Sequence, residues 1–134
     1  MKRLLPFFLA LLLLAGCRTS EMDPGMLESS TVSLMVKGKM VFMLPDKEGQ
    51  LGYNEERKEF RAGNDDMSSY FVLTCETLPV TKGQEITGFL RWTDDDGDVR
   101  TRNKLTFLVE RYDDTGLVWL WCAKDKTGAI VKVL

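Results

Sequence analysis

The chain has 134 residues, with 18 Lys and Arg against 20 Asp and Glu, no histidine and a formal charge of −2. Without imidazole, the serine and cysteine triads that depend on it cannot assemble and the commonest zinc ligand is missing. A mildly acidic chain of this size is also a poor match for nucleic acid, so composition points to one small domain with neither histidine chemistry nor a nucleic-acid partner.

In chain order, Lys2 and Arg3 precede an apolar run from Leu4 to Leu14 that is broken only by Pro6. A run of about 11 residues is too short to span a bilayer, which takes roughly 18 to 20, and the layout is that of a signal peptide. Leu14-Ala15-Gly16-Cys17 closes the run. The quartet resembles the lipobox of bacterial lipoproteins: a leucine three positions before the cut, two small residues that let the peptidase approach, and a thiol to receive the lipid. The alternative is an ordinary secretory signal followed by an incidental cysteine. The resemblance implies removal of residues 1–16, acylation of Cys17 and a place in the cell envelope. Two or three acyl chains, at about 0.8 kcal/mol per buried methylene, make such an anchor effectively permanent. Arg18, where an aspartate would signal retention, resembles outer-membrane sorting in the proteobacterial scheme. Whether the periplasmic or the surface face is occupied stays open.

Removal of residues 1–16 leaves 118 residues and a charge of −4. The expected organisation is a lipidated tether over residues 17–30 and a single β domain over residues 31–134. Arg18 to Ser30 is polar, contains Pro24-Gly25 and shows no period, which predicts a flexible leash reaching on the order of 20 Å. With Cys17 committed to lipid, Cys75 and Cys122 form an even pair in a compartment that permits disulfides. Both lie in strand-like runs. They are a candidate bridge or, alternatively, two small buried hydrophobes that never meet.

From Thr31 the pattern has period two: Val32, Leu34, Val36, Met40, Phe42 and Leu44 share one parity, predicting one long strand or two strands bent at Gly38. Residues 46–69 are polar and aperiodic. Within them, residues 54–63 carry a plausible N-cap at Asn54 and a glycine stop, which suits one short helix, and a strand at Glu59 to Ala62 fits equally well. Five further strands are expected at residues 69–77, 84–93, 102–112, 116–123 and 129–134, separated by turns rich in Asp, Lys and Gly.

Six or seven strands with at most one short helix predict an all-β fold. The expected form is a small antiparallel barrel, with a β-sandwich as the alternative. The order of a bent opening strand, hairpins and a polar insertion resembles an OB-like Greek-key barrel. The layout of the whole chain is similar to small lipoproteins of Bacteroides-like bacteria, which implies envelope location and little chemistry.

Three site candidates follow. Asp94, Asp96 and Asp98 alternate around Gly97 in a loose likeness of a calcium loop, but the twelfth position from Asp94 is Leu105 instead of a closing glutamate; a solvated hairpin turn accounts for the residues as well. Trp92, flanked by Arg91 and Thr93, is the tryptophan expected to be exposed and to contact a ligand, whereas Trp119 and Trp121 lie in a run apolar on both parities and are expected in the core. The basic residues Arg91, Arg100, Arg102 and Lys104 suit an anionic ligand or, more simply, pairing with the neighbouring aspartates. Carboxylate chemistry on Glu76, Glu85 and Glu110 is the remaining catalytic option, and nothing in the sequence gathers them around a cleft. The overall expectation is a membrane-anchored, non-catalytic binding module without a cofactor. Its partner would be a protein or glycan. The alternative is an accessory subunit that lends a sheet edge to a larger envelope complex.

Overall fold

Lys37 and Gly38 both adopt positive φ, 52° and 81°, the pair of left-handed residues a two-residue hairpin turn requires. The long opening run therefore folds back on itself as β1 (Ser33–Val36) and β2 (Lys39–Met43). A computed structural model describes residues 21–44, 50–64 and 68–133; Cys17 and the lipobox lie outside these residues. The other strands are β3 (Gln50–Asn54), β4 (Glu59–Gly63), β5 (Tyr70–Cys75), β6 (Glu85–Thr93), β7 (Val99–Tyr112), β8 (Leu117–Cys122) and β9 (Thr127–Lys132).

These nine strands form one antiparallel sheet in the order β2-β1-β9-β8-β7-β6-β5-β4-β3. From β3 to β9 every strand lies beside its neighbour in sequence. The arrangement is a meander, with the β1–β2 hairpin added to the outer edge of β9. The all-β expectation holds, but the strand number is nine where six or seven were expected, and the order differs from an OB-like Greek key and from a two-sheet sandwich. The sheet curls into a half-barrel, and the Tyr53 amide in β3 donates to the Val133 carbonyl just beyond β9 at 3.3 Å.

Residues 54–63 form the β3–β4 hairpin and no helix. Asn54 still accepts a hydrogen bond from a backbone amide three residues on, Arg57 at 2.9 Å, but Lys58 at φ 58° turns the chain back. Asn is suited to both an N-cap and a turn, so its local chemistry alone could not separate the two. The described residues instead hold one helical turn, α1 (Pro24–Leu27), inside the stretch expected to be a leash. Asp23 caps it by accepting from the Gly25 and Met26 amides, and proline at the first helical position costs no hydrogen bond.

Register fixes two apolar faces. On the concave face Phe60, Leu73 and Leu90 are cross-strand neighbours, as are Phe71 and Trp92, Val109 and Leu120, and Ala129 and Leu34. All are buried and form the main core. On β8, alternation turns Val118, Leu120 and Cys122 into that core and Leu117, Trp119 and Trp121 to the convex side. Yet all six are buried. The second cover includes the N-terminal segment: Met22 and Met26 are 2% and 0% exposed. The Trp119 indole N–H donates to the carbonyls of Met26 at 3.1 Å and Ser29 at 3.2 Å. Residues 22–29 are thus docked, a correction to the reading of residues 17–30 as a uniformly flexible tether.

Candidate functional site

The acidic hairpin loop is built around one carboxylate. Asp94 Oδ1 accepts the amides of Asp96 and Asp98, both at 2.9 Å, and Oδ2 accepts Arg100 Nε at 2.8 Å. The hydrogen bond from Arg100, helped by the two amides, holds the Asp94 carboxyl below its ordinary value. Asp94, Asp96 and Asp98 do place oxygens within 4.8 Å of one another. A second loop without an acidic cluster has the same construction: Asp113 Oδ1 accepts the amides of Thr115 and Leu117 and the Thr115 hydroxyl. Gly97 and Gly116 take matching positive φ, 84° and 91°. The shared design marks Asp94 as a turn-forming residue whose two oxygens are both engaged, so a cation in this loop would compete with the Arg100 guanidinium.

Trp92 is not at the surface. Its register opposite Phe71 turns it into the concave core, where it is 7% exposed. Its polar neighbours Arg91 and Thr93 have the opposite parity and face the convex side, which is why flanking polarity did not report its own burial. The expectation of a ligand-contacting Trp92 is corrected accordingly.

Cys75 and Cys122 are both buried free thiols, and no bridge joins them. Strands β6 and β7 lie between their own strands. At about 4.8 Å per strand the separation along the sheet is on the order of 14 Å, beyond the limit of about 7 Å between bridged Cα atoms. Burial pushes the Cys75 thiol up to about 12, which makes it a small inert hydrophobe.

The basic residues divide. Arg100 pairs with Asp94. Arg102, opposite Leu90 and so directed to the concave side, reaches Asp125 in the β8–β9 turn. Asp125 also accepts the Thr127 hydroxyl at 2.6 Å, and the same hydroxyl accepts the Lys37 amide at 3.2 Å. This network ties β7 and the β1–β2 and β8–β9 turns together, with Arg102 Nε buried and unpartnered. Of the carboxylates considered for catalysis, Glu76 and Glu85 are exposed and Glu110 is half-buried.

Two surface features of β7 were not foreseen. Gly88 pairs with Leu105 and Leu90 with Arg102, so Phe89 alone faces Asn103 and Lys104, a bulge in which Lys104 takes φ 53°. An open groove of about 380 Å³ lies there, between Thr74 and Glu76 on one side and Asn103 and Lys104 on the other, with Phe89 among its lining residues. The second feature is an open edge. β7 pairs with β6 from Val99 to Leu108, but with β8 only from Leu108 to Tyr112. The amide of Asp94 bonds the carbonyl of Asp98, and antiparallel alternation then directs the backbone of Arg100 and Arg102 to β6 and that of Val99 and Thr101 outward. Val99 is 53% exposed. No run of apolar residues marks this segment, and the edge exists because β8 is short, so only the pairing of β8 reveals it.

Fold and surface together define a curled, antiparallel half-barrel with an N-terminal segment docked on it through Met22 and Met26 and one projecting hairpin. The chain matches no family model, no curated protein and no solved structure. None of the described helices is long and apolar enough to cross a membrane.

Proposed function

We propose that this protein is a non-catalytic interaction module of the bacterial envelope, held on a membrane surface by acylation of Cys17, that takes its partner as an added strand along Val99–Asn103 of β7. The open edge of β7 carries this reading. Its outward amides and carbonyls are in the extended conformation that strand addition uses. The bulge at Lys104 and the charges of Arg100 and Arg102 blunt the edge against indiscriminate pairing, as natural edges are blunted, and confine pairing to a short stretch. The N-terminal pattern from Lys2 to Cys17 supports the anchor, and Arg18 supports outer-membrane sorting.

A glycan partner stacked on an exposed tryptophan loses its residue now that Trp92 lies in the core. The reading as an accessory subunit gains, because a sheet edge is what such a subunit would contribute. A carboxylate-based enzyme is the third reading, and turnover abolished by removing a single glutamate would establish it.

The test is crosslinking in the native envelope followed by recovery of partners. Thr101→Pro removes one outward amide and leaves the β6 ladder intact. Partner recovery should fall at least about tenfold, the loss expected when a strand-addition contact is broken. Undiminished recovery with Thr101→Pro would sink the reading.

A further inference from the structure

We infer that residues 22–29 are a strap that binds the acyl anchor to the convex face of β8, so that the domain meets the bilayer in one orientation with the β6–β7 hairpin at its far end. The inference rests on acylation of Cys17, as proposed above.

The strap is attached by interactions of different kinds. Met22 and Met26 are buried, and the Trp119 indole N–H donates to two strap carbonyls, those of Met26 and Ser29. The Arg111 guanidinium lies 4.4 Å from the centre of the Trp119 ring, so the strap, Trp119 and Arg111 form one stack. Leu27 and Glu28 amides close the helical turn onto Asp23 and Pro24.

Chain length then decides how freely the domain can move. Only residues 18–21 separate Cys17 from Met22, a reach of at most about 17 Å when fully extended. Were residues 22–29 loose, the first fixed residues would be those entering β1, and the reach would be on the order of 50 Å. A domain of about 100 residues has a radius of gyration near 13 Å, hence a diameter of about 33 Å. A leash shorter than the body it carries cannot let that body turn over. The docked strap therefore converts a permissive tether into an orienting one. Along β7, Arg111 beside the strap and Val99 at the open edge are twelve residues apart, roughly 35–40 Å at strand rise. The strap and the partner edge thus occupy opposite ends of one strand.

The experiment uses the full acylated protein in vesicles of phosphatidylethanolamine and phosphatidylglycerol. A fluorophore is placed at Asp114→Cys in the loop after β7 or at Asp95→Cys at the hairpin tip, with a quencher in the lipid phase. Quenching at position 114 should exceed that at position 95 at least about threefold, since lipid-phase quenching fades over distances shorter than the roughly 35 Å between them. Inserting ten Gly-Ser residues between Ser20 and Glu21 leaves the strap docked but lengthens the leash, and should bring the two positions to within about 1.5-fold. Met22→Asp combined with Met26→Asp should do the same by undocking the strap. Hydrogen exchange at the Leu27, Glu28 and Ser29 amides supplies an independent readout, expected to be slowed at least about tenfold in the parent and in the insertion variant. Acylated protein with equal quenching at both positions, or with unprotected strap amides, would overturn the orientation alone. Absence of an acyl group on Cys17 by mass spectrometry would overturn the anchored reading as well.

Discussion

The two ends of β7 differ in packing and in exposure. Leu108 is paired with both β6 and β8, Val109 still exchanges backbone bonds with Gly83 and Gln84, and from there to Tyr112 the strand is paired with β8, where Arg111 lies against Trp119, itself covered by the strap. From Val99 to Lys104 it is paired on one edge only, and five of its six residues are exposed. One continuous strand thus carries a closed end, packed against Trp119 beneath the strap, and an open end that faces solvent along its β8 side. The difference comes from its neighbours: β8 has six residues against the fourteen of β7. Side-chain chemistry within β7 plays a smaller part. An open edge here is a product of unequal strand lengths, which makes it separable from stability.

Mutations at the two ends should separate sharply. Trp119→Ala removes a fully buried indole and leaves the carbonyls of Met26 and Ser29 without their donor, and chemical denaturation should show a loss of about 3–5 kcal/mol. Thr101→Pro at the open end should cost no more than about 1 kcal/mol in the same assay, since it breaks no bond within the sheet. Equal losses would mean that the open end is also part of the cooperative fold.

The closed end can be probed without removing a ring. A Cβ added at Gly128 would stand 2.5 Å from the Trp121 ring and 2.7 Å from the Leu120 carbonyl, both held in place by packing. Gly128→Ala should therefore destabilise by about 1–3 kcal/mol. Between the two ends, Asp125→Ala should cost about 1–3 kcal/mol, because Arg102 loses its acceptor and the Thr127 hydroxyl keeps only the more distant Asp125 carbonyl.

The smallest effects belong to the two aspartate turns, one at each end. Both carboxyls titrate below the ordinary value of 3.8. At Asp94 the Arg100 hydrogen bond leads the shift. At Asp113 burial opposes it, and hydrogen bonds from Thr115 and Leu117 prevail. A depressed folded value means that each carboxylate's contribution is complete above 3.8 and fades as pH falls through the lower folded value. Melting temperature should decline below about pH 4, and Asp94→Asn and Asp113→Asn should each flatten that decline. Thiol titration gives a further check: Cys75 should react with a thiol reagent at pH 8 only after unfolding, as burial and a value of about 12 require.

Much of the fold was legible in the chain itself. Alternation marked the opening strand and the five C-terminal ones, and apolar residues on both parities of Leu117 to Cys122 required cover on both faces. The β3–β4 hairpin was less readable because Asn54 serves a helix cap and a turn equally. Site prediction fared worse for a physical reason. Parity shows that Trp92 and its neighbours point in opposite directions, but only the pairing with Phe71 shows which direction is inside. The choice between a Cys75–Cys122 bridge and two separate buried thiols stayed open on the same ground, since it depends on sheet order, which places two strands between them.

By itself, then, the sequence determined the all-β character, most strand positions, the turn chemistry of Asp94 and Asp113, and the absence of histidine chemistry. These follow from period, from left-handed turn residues and from composition, all of which are local. Tertiary structure alone decided the meander order, the burial of Trp92, the separation of Cys75 from Cys122, the docking of Met22 and Met26 and the open end of β7. Each depends on which strand lies beside which and for how many residues, a matter settled by packing across the whole sheet.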